Sequence, residues 1–166
     1  MNQEITNPQA MLDTIIQQET ALQLDAFTAA EGWALGLAAR QAAMAHGGNI
    51  AVDVTLGGVQ VFRCTVGEAT PNNTRWIRRK ANVTLESWKS SLRMMLELQL
   101  SDRSAEEFGW AAADYVLAGG CFPIRVRGTG VVGTLTVSGL PQTHDHQVAA
   151  DALASYLGIA VPSILA

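Results

Sequence analysis

Apolar positions along the chain switch between two periods, and the switches mark out the elements. Asn7 followed by Pro8 is a helix start, a capping residue with a first-turn proline. Met11, Leu12, Ile15 and Ile16 then share one helical face. Ala21 to Phe27 alternates loosely and reads as a short strand. Thr28-Ala-Ala-Glu31 is a capping box that opens a helix to about His46. Trp33, Leu37 and Met44 form its apolar stripe, interrupted by Gln41. Its alanines let it sit close to a sheet, and Gly47-Gly48 ends it.

A period of two follows. Ile50, Val52, Val54 and Leu56 alternate with Ala51, Asp53 and Thr55, Gly57-Gly58 supplies a two-residue turn, and Val59 to Val66 returns. After a loop over 67–74, one long helical stretch is expected from about Asn73 to Leu100, carried by Ile77, Ala81, Leu85, Trp88, Leu92 and Met95. Thr84-Leu85-Glu86 marks a bend in it. A second hairpin runs from Phe122 to Arg127, turns at Gly128-Thr129-Gly130, and returns from Val131 to Ser138. Pro141 starts a last helix with Val148, Ala149, Ala152, Leu153 and Tyr156 inward, and the chain ends in an apolar run over 159–166. Hairpins separated by helices predict an α+β fold with helices covering the sheet. Residues 1–166, without a linker or internal repeat, read as a single domain.

Composition narrows the function classes. Charged residues make up 16% of the chain, against a usual share of about 25%. With 48% hydrophobic residues and a net charge of −4, this excludes a disordered chain and a strongly basic nucleic-acid binder. No apolar run approaches the ~20 residues that span a bilayer. The polar start, Met1 to Gln9, has neither the basic nor the apolar region of a secretion signal. Two widely spaced cysteines, Cys64 and Cys121, suit a reduced compartment, so a cytoplasmic protein is expected. Low charge together with the apolar C-terminus points to a homo-oligomer, a dimer or larger, that hides surface against copies of itself.

The remaining charge is concentrated. Six of the eleven Lys and Arg residues fall between 75 and 93: Arg75, Arg78, Arg79, Lys80, Lys89 and Arg93. Cations normally avoid a helix start, so finding them there points either to a nearby anion or to a solvated face paired with acidic residues. Trp76 offers a flat wall for a planar ligand. Gly119-Gly120 allows a positive φ or a close backbone approach. In His144-Asp145-His146 the two imidazoles lie about 200° apart on a helix, which favours a capping or structural role over a metal site. His46, at a helix end, suits the dipole there. No metal site is expected. Nucleophile motifs are missing: Ser90-Ser91 falls within the long helix, and Cys121 reads first as a buried thiol.

Four runs act together. They are Asn73-Thr74-Arg75-Trp76-Ile77-Arg78-Arg79-Lys80, Gly119-Gly120-Cys121-Phe122-Pro123-Ile124, Val131-Val132-Gly133, and Val137-Ser138-Gly139-Leu140-Pro141-Gln142 followed by Asp145-His146. The set resembles the haem-degrading (GlcG/HbpS-like) domain family in its yeast-and-bacterial branch, over about residues 10–158. The resemblance implies a profilin-like three-layer α/β/α sandwich around a five-stranded antiparallel sheet. It also implies oligomers, and relatives that bind or degrade haem. Haem as a cofactor rests on the resemblance alone. Carried over residue by residue, the resemblance places a ligand pocket between Asn73, Trp76, Arg79 and Lys80 on one side and Gly119, Gly120, Asp145 and His146 on the other. Three functions stay open: a binding or accessory protein for a small anionic or planar ligand; an enzyme, haem-degrading or acid–base with Lys80 or His146 moving the proton; and a scaffold without pocket chemistry.

Overall fold

The computed structural model describes residues 5–165. The polar start and the apolar end read above therefore lie partly outside the described residues, at 1–4 and 166. Helix α1 (Pro8–Ala21) is capped by Asn7, whose side chain accepts the Ala10 N–H at 3.1 Å. Strand β1 (Gln23–Leu24), helix α2 (Ala29–His46) and the hairpin β2 (Ile50–Leu56) and β3 (Val59–Val66) follow. Helices α3 (Pro71–Ser87) and α4 (Ser91–Leu100) lead through a 3-10 turn at Ala105–Phe108 to β4 (Cys121–Val126), β5 (Gly130–Ser138) and α5 (Gln142–Leu157).

The strands form one sheet in the order β1-β4-β5-β2-β3. Three of its pairs are antiparallel. The fourth, β1 with β4, is parallel, with Gln23 opposite Arg125 and Leu24 opposite Val126. The sheet is thus mixed, which corrects the all-antiparallel expectation. A two-residue strand with no hairpin of its own carries no directional signal in its alternation, and a distant crossover sets its direction.

Helices α2 and α5 pack on one face of the sheet and α3 on the other. The α2/α5 side is aliphatic and aromatic, built on Leu35, Val52, Phe62, Phe122, Leu135 and Leu153. The α3 side is polar for an interior: Asp53, Thr134 and Thr136 are buried there with Lys80 and Thr84.

Three further expectations change. First, α2 buries Gly32, Leu35, Gly36, Ala39 and Ala43, while Trp33, Leu37 and Met44 face outward. A Cβ on Gly36 would collide with the Phe62 ring, so the small residues mark the side that touches the sheet. Second, the long helix is two helices. The chain breaks at Trp88, which is left-handed at φ 56°, and Ser90 caps α4 by accepting the Arg93 N–H at 3.3 Å. Glu19 of α1 holds the break, accepting the Ser90 N–H at 2.8 Å and pairing with Arg93 at 2.8 Å. Third, part of the apolar C-terminal run packs on the molecule while Ile159 stays exposed. Ile164 packs with Leu12, Ile15, Leu92 and Leu96, and Gln18 donates to the Pro162 carbonyl at 2.8 Å. Among the described residues, no helix is long and apolar enough to cross a membrane.

Candidate functional site

A cavity of about 670 Å³ opens where α3 begins, where β5 ends and where α5 starts. Asn72, Asn73, Trp76 and Lys80 reach it from α3. Ser138, Gly139 and Leu140 come from the end of β5, and Pro141, Gln142 and Asp145 from the start of α5. Met95 and the loop residues Val116, Leu117 and Ala118 close the remaining wall.

Its floor is an ion pair. Lys80 Nζ donates to Asp145 Oδ2 at 2.8 Å and to the Val137 carbonyl at 3.1 Å, and both side chains are only 3% exposed. The Leu140 N–H donates to the other carboxylate oxygen at 2.9 Å, and the Gly139 N–H reaches Oδ2 at 3.4 Å. Burial raises the Asp145 carboxyl above the usual range, and the adjacent ammonium opposes that rise. Such a pair persists in a dry site because nearly every lone pair has a donor.

Gly120 makes the pair possible. At φ +126° it takes a conformation that side chains disfavour, and a Cβ there would stand 2.7 Å from Lys80 Nζ and 2.9 Å from Asp145 Cβ. Gly119 sits beside it, its N–H donating to Gln142 Oε1 at 3.3 Å. The paired glycines therefore lie behind the cavity floor. Asn73 ties the cavity's rim together: it donates to the Ser138 carbonyl at 3.1 Å and accepts the Thr70 N–H at 2.9 Å.

Six of the eight residues singled out in the sequence thus come together here: Asn73, Trp76, Lys80 and Asp145 line the cavity, with Gly119 and Gly120 behind it. Two do not line it. Arg79 turns its guanidinium over the Trp76 ring, 5.3 Å from the centroid, and its Nε is buried without a partner. His146 is fully buried against Phe122, its Nε2 2.9 Å from Gln18 Oε1, and burial pushes its pKa down to about 3.

Most of the basic stretch is neutralised within the chain. Lys80 pairs with Asp145, Arg78 with Asp114, Lys89 with Glu97, and Arg93 with Glu19 and Glu97. Among the described residues, Arg75 and Arg79 are the members without an ion pair. Cys121 is buried, accepts from Thr136 Oγ1 at 3.1 Å, and has its thiol pushed up to about 11, so it is inert. His46 and His144 approach edge to face with centroids 6.1 Å apart. Among the described residues, no group of three or more His, Cys, Asp or Glu could hold a metal ion.

Sequence reasoning did not single out the other lining residues: Asn72, Met95, the loop wall Val116 to Ala118, and Ser138 to Gln142, which entered only as a run carrying the resemblance. The loop is pinned to α3 by three side chains. Arg78 and Asn82 bond Asp114, and Glu86 accepts from Trp110 Nε1 at 2.7 Å and from the Tyr115 hydroxyl. Trp110 and Tyr115 stack with centroids 5.3 Å apart. The available signal was the pair of aromatic residues Trp110 and Tyr115 in the stretch between α4 and β4.

Fold and cavity together define a class: an α+β domain with helices on both faces of a five-stranded mixed sheet and a cavity at the starts of α3 and α5. The pattern of the family described as haem degrading protein HbpS-like matches residues 27–154, and the chain belongs to that family. It is 44% identical over 146 residues to a UPF0303 protein of Rhizobium leguminosarum, covering 88% of each chain. It is 43% identical over 154 residues to one of Burkholderia mallei, covering 92% of this chain and 93% of that one. Among solved structures it is similar to yeast Ybr137w, with a TM-score of 0.81, 29% identity, and 89% and 87% of the two chains covered. HbpS shares the fold at a TM-score of 0.65 and 22% identity, covering 82% of this chain and 93% of its own.

The family name raises haem, and the cavity's donor set answers for this chain. Protein-held haem iron takes an axial His, Cys, Met or Tyr. No His, Cys or Tyr is among the residues lining this cavity; Met95 is the one thioether, and Lys80 is committed to Asp145. Of that set the cavity lining offers Met95 alone.

Proposed function

We propose that the chain is a non-catalytic small-molecule-binding protein. Its cavity takes a planar ligand stacked on Trp76, with an acceptor group, anionic or neutral, directed at Lys80. The observation that carries this reading is Lys80 itself, a buried ammonium in the cavity lining. It has three N–H donors, and among the described residues two are used, on Asp145 and Val137. That leaves the third for a ligand. The cavity volume lies within the roughly 300–1,000 Å³ of small-molecule sites, and apolar walls with a few convergent polar groups are their usual makeup. Neutralisation of most of the basic stretch favours a ligand with one acceptor group over a multiply charged anion.

The test uses protein purified without dialysis against additives. Its small-molecule content is extracted and read by mass spectrometry, beside the variant Ala118→Trp, which fills the cavity from its loop wall. The wild type should release one compound near one per chain, and the variant at least tenfold less at the same fold content. Equal amounts from both, or nothing from the wild type, would reject the reading. The acid–base alternative keeps one supporting observation, the raised Asp145 carboxyl beside Lys80 in the cavity. His146 does not serve it, being walled off and unprotonated at neutral pH.

A further inference from the structure

The polar side chains around the cavity have their acceptors engaged and their donors left over. Both Asp145 oxygens are covered. Lys80 Nζ donates to Oδ2 at 2.8 Å, with the Gly139 N–H at 3.4 Å, and the Leu140 N–H donates to Oδ1 at 2.9 Å. Asn73 Oδ1 accepts the Thr70 N–H at 2.9 Å, and Gln142 Oε1 accepts the Gly119 N–H at 3.3 Å. A backbone N–H can only donate, so each contact fixes which end of the amide is oxygen. Among the described residues, both N–H bonds of Gln142 Nε2 then have no partner, nor has the second of Asn73 Nδ2 or the third of Lys80. The Trp76 indole N–H is also open. The Ser138 hydroxyl and the exposed Asn72 amide serve either way. Adjacent glycines bring the two main donors together: Gly120 lies against Lys80 Nζ, and Gly119 holds the Gln142 amide. Charge has the same sense. Lys80 and Asp145 cancel, while Arg79, which has no ion pair and does not line the cavity, backs the Trp76 ring with its guanidinium.

We propose that the cavity's ligand is a planar aromatic monocarboxylate, with its ring on Trp76 and its carboxylate held by Lys80 Nζ and Gln142 Nε2. The proposal rests on the cavity reading above and names the ligand class. A carboxylate only accepts, and its two oxygens offer several lone pairs. It therefore meets the leftover donors and presents no N–H to side-chain acceptors that are already engaged. A primary amide of the same shape brings two N–H donors that those acceptors leave unmatched. An unmatched donor in a dry site lowers affinity at least tenfold. The single negative charge answers the guanidinium behind the indole. Gln142 is thus the residue that tells acid from amide, because the Gly119 N–H holds its oxygen and turns its donors to the ligand.

Equilibrium dialysis of the full chain against naphthoate and its amide, naphthamide, at neutral pH tests it. The wild type should bind the acid near one per chain and at least tenfold more tightly than the amide. Ala118→Trp should weaken the acid at least tenfold. Gln142→Glu keeps an oxygen for the Gly119 N–H and replaces the two donors by a second oxygen. It should remove the preference for the acid at an unchanged circular dichroism spectrum. The comparison of acid with amide on the wild type needs no variant. Equal binding of the two that Ala118→Trp abolishes would overturn the carboxylate and leave the cavity reading standing. Binding of both that Ala118→Trp does not weaken would overturn the two together. A preference for the acid that survives Gln142→Glu, or no binding of naphthoate, would also overturn the proposal.

Discussion

Lys80 and Asp145 show how context decides what a charged residue does. In the sequence Lys80 is one of three consecutive cations. In the fold it parts from exposed Arg78 and half-buried Arg79 and enters the interior, where Asp145, Val137 O and the space left by Gly120 accommodate it. Lys80→Met strands a buried carboxylate, and removing one partner of such a pair costs about 3–5 kcal/mol. Denaturant unfolding should show that loss, and the double variant Lys80→Met/Asp145→Leu should recover most of it. A double variant as unstable as the single one would mean that the pair is not closed as described. His146 makes a pH prediction. Its pKa is 6.5 when unfolded and about 3 when folded, so below pH 6.5 the unfolded chain binds the proton first and stability falls as pH falls. Between pH 6.5 and 5 the loss is about 2 kcal/mol. Asp145 and Asp53 have raised folded pKa values and favour the folded state as pH falls, so they do not produce this slope. His146→Gln should flatten unfolding free energy measured across that window.

At the scale of elements, caps and turns were legible because their chemistry is local. Asn7-Pro8, the Thr28–Glu31 capping box, Gly57-Gly58 and the second hairpin lie where the sequence places them. What failed depended on partners far along the chain. The buried side of α2 follows from Gly36 lying against Phe62, and a reading that equates apolar with inward selects the opposite face. The helix break at Trp88 depends on Glu19, seventy-one residues before Ser90. The cavity's α3 and α5 walls were legible through a family resemblance. Its loop wall was not, because Val116 to Ala118 gain their position from Glu86, Asn82 and Arg78. Glu86→Ala therefore has a defined consequence. It leaves the Trp110 indole N–H without its acceptor, a loss of about 1–3 kcal/mol. Hydrogen exchange across 105–118 should accelerate while β4 and β5 keep their protection. Unchanged exchange in the loop would show that the stacked rings hold it without the carboxylate.

For the whole molecule, the low charge content acquires a location. Most cations are used in internal pairs, Ile164 of the C-terminal run packs against α1 and α4, and exposed large apolar side chains are spread over several elements, with Trp33, Leu37 and Met44 on α2. Membership in the HbpS-like family establishes the fold; the family name does not by itself supply this chain's ligand, because function is carried by the site and not by the fold. The claim that organises these features is that the cavity beside Trp76 holds a small planar molecule. A crystal structure of the protein purified without added ligand tests it most directly. Flat density stacked on the Trp76 indole, with an acceptor atom at hydrogen-bond distance from Lys80 Nζ, is the predicted result. A cavity holding only separated water peaks, or one filled by the protein's own side chains, would contradict it.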